Sequence, residues 1–199
     1  MDKIQRAPTE HEEQIRTFVA TACAGDLDTM RAQVTGGFDL NGTDRFGDTI
    51  LERVISDLEH CPAAPKHAIV REMLRLGADP RRLGRDGCGP LLSAVLNMDV
   101  EMLRILLDAG ADPNAVRIWS TGELLYDWAD FVYRYEVWNA KLPQEAAAVD
   151  RANPDAWLRY LDRLAVSYGK RGPDHLRLLR ERGAFSSIEF RSGSYAAAA

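Results

Sequence analysis

Several features are scarce or missing in this sequence, and each absence excludes a class of protein. No apolar run approaches the roughly 20 residues of a membrane-spanning helix, and the N-terminal residues contain no apolar stretch typical of a signal peptide. The 25 basic residues are outnumbered by 30 acidic ones, so the formal net charge is −5. That balance argues against a nucleic-acid-binding surface and favours a basic partner. We therefore expect a cytoplasmic protein that binds neither a membrane nor nucleic acid.

Cysteine is also scarce, and its three positions suit neither a disulfide framework nor a metal site. Cys23, Cys61 and Cys88 are odd in number and widely spaced, which fits a reducing compartment. His60 and His67 flank Cys61, yet their spacing matches no closed four-ligand zinc site. We expect no metal and no other cofactor.

The motifs of catalysis are missing as well. The sequence contains no Gly-x-Gly-x-x-Gly, no phosphate-binding loop and no nucleophile elbow, and His11-Glu12-Glu13 lacks the second histidine of a zinc-protease helix. Asp127 and Asp130 are three residues apart on a predicted helix, but solvated helix faces often carry such pairs. We assign no catalytic residue and expect a protein without enzymatic activity. The alternative is a hydrolase built on residues 119–170, which requires a pocket with perturbed titration around one of these carboxylates.

What the sequence does contain is a repeated unit, which is clearest in residues 84–117. A turn leads to Gly89-Pro90, which suits a helix start because proline at the first helical position gives up no hydrogen bond. A short apolar helix follows, and after a polar break Val100, Leu103, Leu106 and Leu107 have the spacing of one buried helical stripe. Gly110 is placed to end this second helix.

The ending Gly110-Ala111-Asp112 recurs 33 residues upstream at Gly77-Ala78-Asp79, again at Gly37-Phe38-Asp39, and more faintly at Gly183-Ala184-Phe185. A period near 33 residues, made of a turn, two helices and this ending, resembles the ankyrin repeat. The resemblance is strong in the third unit, clear in the first two and weak after Trp119. It implies an all-α, ankyrin-like solenoid of helix–turn–helix repeats that serves as a protein-binding scaffold.

The same spacing predicts how the chain is divided. The second repeat carries about seven extra residues near 57–65, and 73 residues separate Gly110 from Gly183. Two degenerate repeats could fill that interval, but we favour one repeat with an insertion, because the last helix keeps a Leu-Leu-x-x-x-Gly-Ala ending. The predicted repeats are about 9–41, 42–81, 82–114 and 115–185, with an insertion at about 140–170 and tails at 1–8 and 191–199.

Local signals predict the helix starts and the buried faces. Thr9 with Glu12, Thr49 with Glu52 and Ser120 with Glu123 have the spacing of capping boxes. His175, near a helix start, is expected at the surface. Ten of the sixteen aromatic residues lie within 119–168. On the helix that follows Ser120, Trp128, Phe131 and Tyr135 share a face with Leu124 and are predicted to be buried. The opposite, exposed face would carry Tyr126, Asp127, Asp130, Tyr133 and Arg134, unless the inserted helix covers it.

The resemblance implies that partners bind at the turn tips and along the inner face of each repeat's first helix. An aromatic residue with arginines on a tip has the composition of an interface hot spot. Alternatively, Phe46 and Trp119 only cover the hairpin stack. We expect a partner protein, and the acidic charge favours a bacterial immunity or antitoxin protein that neutralises a basic toxin such as a nuclease. An adaptor or regulatory scaffold is the alternative. The predicted partner-binding residues are Arg45, Phe46, Asp48, Ser56, Asp57, Arg85, Asp86, Asn97, Trp119, Tyr126 and Asp130.

Overall fold

A computed structural model describes residues 9–61, 64–115, 123–144, 146, 151 and 153–193. Within these ranges the secondary structure is helical, with an isolated bridge between Thr43 and Thr49 and no β-strand, which confirms the predicted all-α class. The helices are α1 (Glu10–Cys23), α2 (Leu27–Thr35), α3 (Ile50–Leu58), α4 (Lys66–Arg75), α5 (Pro90–Leu96), α6 (Val100–Asp108), α7 (Leu125–Trp138), α8 (Pro154–Ser167), α9 (Asp174–Glu181) and α10 (Ser187–Ser192).

The helices form pairs that stack in two parallel rows. The inner helices are α1, α3, α5 and α7, and each packs against the next along the stack. In the outer row α4 packs on α6 and α6 on α9, while Arg31 of α2 pairs with Glu72 of α4 at 2.6 Å. The fourth pair is therefore α7 with α9, and α8 lies between them in the chain. Leu103 and Leu106 are fully buried within this stack, as the apolar stripe of the third repeat predicts.

The same asparagine contact joins the ends of successive repeats. The side chain of Asn41 donates to the carbonyl oxygen of Gly77 and accepts from the N–H of Asp79. Asn114 repeats this arrangement with the carbonyl oxygen of Gly183 and the N–H of Phe185, at 3.0 and 3.1 Å. Because the contact recurs at Gly183, the faint Gly-Ala-Phe sequence occupies the same structural position as the Gly-Ala-Asp endings.

Side-chain caps start several helices, but not every predicted capping box forms. Thr9 and Glu12 make the complete box at the start of α1. Thr49 accepts the N–H of Glu52, but the Glu52 carboxylate does not reach back and one of its oxygens has no hydrogen-bond partner. Ser120 lies outside the described residues, and α7 begins at Leu125, where Asp127 accepts the N–H of Leu124 at 2.9 Å.

The predicted faces of α7 are wrong at four aromatic positions, whereas Trp128, predicted in the core, is partly buried against it. Phe131 and Tyr135, expected in the core, are 47% and 56% exposed, whereas Tyr126 and Tyr133 are almost completely buried. Aromatic residues occupy both faces of this helix, so hydrophobic periodicity does not distinguish them. Helices α5 and α9 both pack against α7, and His175 of α9 contacts Ala129 and Tyr133 on the buried side.

Two further expectations near the C-terminal end are corrected. His175 is fully buried rather than at the surface, because its ring packs beside Tyr133 and its Nε2 hydrogen-bonds to the carbonyl oxygen of Ala129. The sequence predicts no helix after α9, yet α10 is present and includes Arg191 and Ser192, which lie within the predicted tail of 191–199. Ser186 and Glu189 form a capping box at its start, a signal that is present in the sequence.

Candidate partner-binding surface

The turn of the second repeat, residues 44–48, presents an exposed phenylalanine on a fixed backbone. We call this segment tip two. The Asp44 carboxylate accepts the N–H groups of Phe46, Gly47 and Asp48 at 2.8, 3.0 and 3.1 Å. Phe46 is 57% exposed, and the Arg45 guanidinium lies 4.7 Å from its ring centroid. The tip therefore holds a large apolar side chain in solvent without tertiary packing that explains it.

A groove of about 350 Å³ separates tip two from α1. The apolar part of its surface includes Ile15 and Val19, and several of its charged groups are paired with one another. Arg16 binds Glu13 at 2.5 Å, while Arg53 lies 3.1 Å from Asp57 and 3.7 Å from Asp44. An apolar centre with a rim of paired charges matches the anatomy of protein interfaces. Phe46 lines the same groove, so we call this region the Phe46 groove.

The corresponding turn of the third repeat, residues 84–88, is tip three. Its backbone joins tip two directly, because the N–H of Arg85 donates to the carbonyl oxygen of Gly47 at 3.0 Å. Arg85 and Asp86 are exposed, and the Asp86 carboxylate accepts the N–H of Cys88. Asp48, between the two tips, is half-buried, and burial followed by the charges of Asp44 and Asp86 raises its pKa. The two tips thus present one continuous edge.

The inner helices extend this edge into a surface. Ser56, Leu96 and Phe131 are each seven residues after the N-cap of their helix, at Thr49, Gly89 and Leu124 respectively, and all three are exposed. The Ser56 hydroxyl lies 3.4 Å from that of Ser93, which shows that this position contacts the next inner helix. We call Ser56, Leu96 and Phe131 the inner row.

Asp57 and Asn97 follow the inner row at the ends of their helices. Asp57 is half-buried and accepts from Arg53, and the exposed Asn97 donates to the carbonyl oxygen of Ser93. Sequence reasoning placed these two residues near the surface but missed Phe131, because it assigned that residue to the core. The signal that identifies Phe131 as exposed is its place in the helix, because Phe131 and Ser56 are each seven residues after the N-cap of their helix.

Two predicted site residues, Tyr126 and Asp130, do not join this surface, and a third, Trp119, lies outside the described residues. Tyr126 is only 3% exposed, and the Arg180 guanidinium covers its ring. Asp130 is half-buried and serves as a bridge, since its two oxygens accept from Trp157 Nε1 at 2.6 Å and from Arg134 Nε at 2.8 Å. Asp130 therefore fastens the inserted helix α8 to α7.

A second pocket, of about 470 Å³, lies among α7, α8 and α10 and includes both Asp127 and Asp130. Burial raises the pKa of Asp127, as a hydrolase site would require. The same carboxylate, however, accepts the N–H groups of Leu124 and Ser187 at 2.9 and 3.0 Å. Asp127 and Asp130 thus hold together the helices that form this pocket, which is a structural role.

The described residues offer no group of three or more His, Cys, Asp or Glu side chains arranged to hold a metal ion. His67, considered above as a ligand, instead hydrogen-bonds through Nε2 to Asp99 at 3.0 Å, and Lys66 binds the same carboxylate at 2.7 Å. Among the helices described, none has the length and apolar character that crossing a membrane would need.

Comparison with known proteins agrees with this architecture. The family model described as ankyrin repeat matches residues 86–118, which run from tip three through α5 and α6. A relative in Escherichia coli (strain K12), named "Putative ankyrin repeat protein YahD", is 30% identical over 99 residues. The aligned stretch is 50% of this chain and 46% of that relative, so the chain spans about half of the relative's length.

The fold and these similarities define the class: the molecule is a helical repeat protein with an exposed edge of turn tips. More particularly, the chain contains an ankyrin repeat at residues 86–118. Ankyrin repeats indicate a protein–protein interaction module and are generally not enzymes.

Proposed function

We propose that the chain docks one partner protein on the surface formed by tips two and three, the Phe46 groove and the inner row. The observation that carries this proposal is the 57% exposed side chain of Phe46, in a turn whose backbone is fixed by three N–H groups that donate to the Asp44 carboxylate. An anchor held in place before binding loses little conformational freedom when a partner covers it.

The partner we propose is a basic toxin, and the chain would act as an immunity or antitoxin protein that covers the toxin's active site. The net charge of −5 supports this choice, because opposite net charges accelerate encounter between proteins. Acidic groups lie beside the proposed anchor, at the half-buried Asp48 and Asp57 and at the exposed Asp86. The unpaired cysteines support a cytoplasmic complex.

The test co-expresses the chain with each protein encoded by a neighbouring gene and measures neutralisation of any toxic one, as survival and as a dissociation constant by calorimetry. We expect the wild type to restore growth and Phe46→Ala to weaken binding by about 1–3 kcal/mol, as the loss of an interface anchor does. Tyr168→Ala is the matched control, because Tyr168 is 58% exposed and lies at the C-cap of α8, away from the tips.

Two outcomes of these measurements would contradict parts of the proposal. Equal affinity of Phe46→Ala and wild type would remove Phe46 as the anchor. A partner that binds tightly at this surface but has no toxic activity would replace the immunity role with that of an adaptor.

A further inference from the structure

The pocket among α7, α8 and α10 is lined by aromatic residues from two helices. Its volume of about 470 Å³ is within the range of sites that hold small organic molecules. The aromatic lining residues are Tyr126, Trp128 and Phe131 of α7 and Trp157 of α8. Trp128 and Phe131 meet edge to face with ring centroids 5.6 Å apart, and Phe131 is 47% exposed. The pocket therefore offers ring surfaces against which a planar molecule can pack.

The carboxylate acceptors of this pocket are already used by the protein. Asp127 accepts backbone N–H groups at the starts of two helices. Asp130 accepts from Trp157 Nε1 and Arg134 Nε. Glu123, a further acidic residue of the lining, also has an interaction of its own. A ligand that donates hydrogen bonds or carries positive charge would have to compete with these contacts.

Two donors in the lining residues, by contrast, have no acceptor. Within the part of the chain that the structure describes, neither the hydroxyl of Tyr126 nor Nε1 of Trp128 has a hydrogen-bond partner, and both atoms are buried. Burial raises the pKa of Tyr126, so its hydroxyl keeps the proton. Because a buried donor without an acceptor is unfavourable, these two groups favour a ligand that brings acceptors.

Guanidinium groups set the charge that the ligand should carry. Arg151 lines the pocket, and its guanidinium lies 4.6 Å from the centroid of the Trp157 ring. The Arg180 guanidinium lies 5.6 Å from the centroid of the Tyr126 ring. Two of the aromatic rings thus already have a cation beside them, which disfavours a cationic ligand. Arginine is well suited to bind a carboxylate, so the charge favours an anion.

We propose that this pocket binds an aromatic carboxylate. The rings of the ligand pack against Trp128 and Phe131, and its carboxylate accepts from Arg151 and from the unused donors of Tyr126 and Trp128. The pocket shares Phe131 with the inner row, yet binding of the ligand does not depend on whether a partner protein docks there.

The experiment titrates the ¹⁵N-labelled full chain with β-naphthoate and follows the Nε1–H signals of its four tryptophans by NMR. Trp128→Phe identifies the signal of Trp128. We expect saturable binding in which the Trp128 signal moves most. β-Naphthamide has the same rings without the charge and should bind about ten-fold more weakly, because hydrogen bonds to a charged acceptor are stronger.

Two conservative variants locate the ligand. Tyr126→Phe removes only the hydroxyl and should weaken binding of β-naphthoate about 3–10-fold, as the loss of one hydrogen bond does. The melting temperature of this variant should not fall, because the described chain supplies no partner to that hydroxyl. Tyr135→Phe is the matched control: Tyr135 is 56% exposed on the same helix, outside the pocket lining, and this variant should bind as the wild type does.

Three results would overturn the proposal. The first is the absence of saturable binding of β-naphthoate, and the second is equal affinity of Tyr126→Phe and wild type for it. The third is tighter binding of β-naphthylmethylammonium than of β-naphthoate, which would make the pocket a site for aromatic cations. None of these results bears on whether a partner protein docks on the tips.

Discussion

Glu52 is a buried carboxylate without a full set of partners, and it lies under the junction of tips two and three. It is 8% exposed, and its unbonded Oε2 would be 3.3 Å from a Cβ atom placed on Gly84. Burial is the main cause that raises the pKa of Glu52 to about 7, followed by the negative charges of Asp48 and Asp86. Folding therefore favours the protonated form of the Glu52 side chain.

The pH dependence of stability follows from that shift. Because the folded-state pKa lies above the ordinary value of 4.5, the contribution of Glu52 is fully present below about pH 4.5 and is lost as pH rises through about 7. The difference corresponds to at most about 3 kcal/mol, since one pKa unit is about 1.4 kcal/mol. We predict that Glu52→Gln increases the free energy of unfolding at pH 8 by about 1–3 kcal/mol and leaves it nearly unchanged at pH 4.

Chemical denaturation at both pH values measures this effect. The control is Glu136→Gln, a substitution at an exposed position on α7 that should change stability by no more than about 0.5 kcal/mol. A Glu52→Gln variant that is less stable than wild type at pH 8 would contradict the claim that burial of the Glu52 carboxylate destabilises the fold at that pH.

The sequence identified Glu52 as a residue at a helix start but did not reveal that its carboxylate is buried. The spacing of Thr49 and Glu52 predicted a capping box, and half of that box forms. The other half fails because the close approach of Gly47 and Gly84, which are distant in sequence, encloses the carboxylate. Burial by a neighbouring repeat cannot be read from local spacing.

The Asp127 carboxylate both caps the start of α7 and holds α10 against α7. Asp127 binds the N–H of Leu124 at the start of α7 and the N–H of Ser187 at the start of α10. Two charged hydrogen bonds at a half-buried position contribute more than an exposed ion pair does.

We predict that Asp127→Ala lowers the free energy of unfolding by about 2 kcal/mol, because two backbone N–H groups lose their acceptor. Proteolysis near Ser187 should accelerate at the same time, as α10 detaches from α7. Asp155→Ala is the comparison: this exposed carboxylate pairs with Arg180 at 3.0 Å, and its loss should cost less than about 1 kcal/mol. Unchanged stability and proteolysis in Asp127→Ala would show that α10 is held by other contacts.

The elements of the first three repeats could be predicted because glycine, proline and capping residues mark their ends. The faces of α7 could not, since Tyr126 and Tyr133 on one side are as aromatic as Phe131 and Tyr135 on the other. Helix α10 had a readable capping box at Ser186, but it is too short for hydrophobic periodicity to reveal it.

In the whole molecule, each helix pair buries its apolar side against the adjacent pairs. A substitution in the core of one repeat should therefore destabilise the whole stack. Leu103 is fully buried in α6, which packs between α4 and α9. We predict that Leu103→Ala lowers the free energy of unfolding by about 2–5 kcal/mol, as the deletion of a buried leucine does. Phe46→Ala should change it by no more than about 0.5 kcal/mol, because surface substitutions seldom exceed that. Similar losses in both variants would place Phe46 in the core rather than on the docking surface.

The number of stacked pairs could be anticipated from the recurring glycine endings, but the path of the chain between Gly110 and Gly183 required the structure. The hydrogen bonds of Asn114 to Gly183 and Phe185 show which ending belongs to the fourth pair. No local pattern specifies a contact between residues so far apart in the sequence.

The central claim, that a partner covers the tips and the inner row, is tested most directly by amide hydrogen exchange of the chain with and without its bound partner. We predict slower exchange at residues 44–48 and 84–88 and toward the ends of α3 and α5, with unchanged rates in the outer helices α2, α4 and α6. Protection confined to the outer helices, with tip two still exchanging freely, would contradict the account.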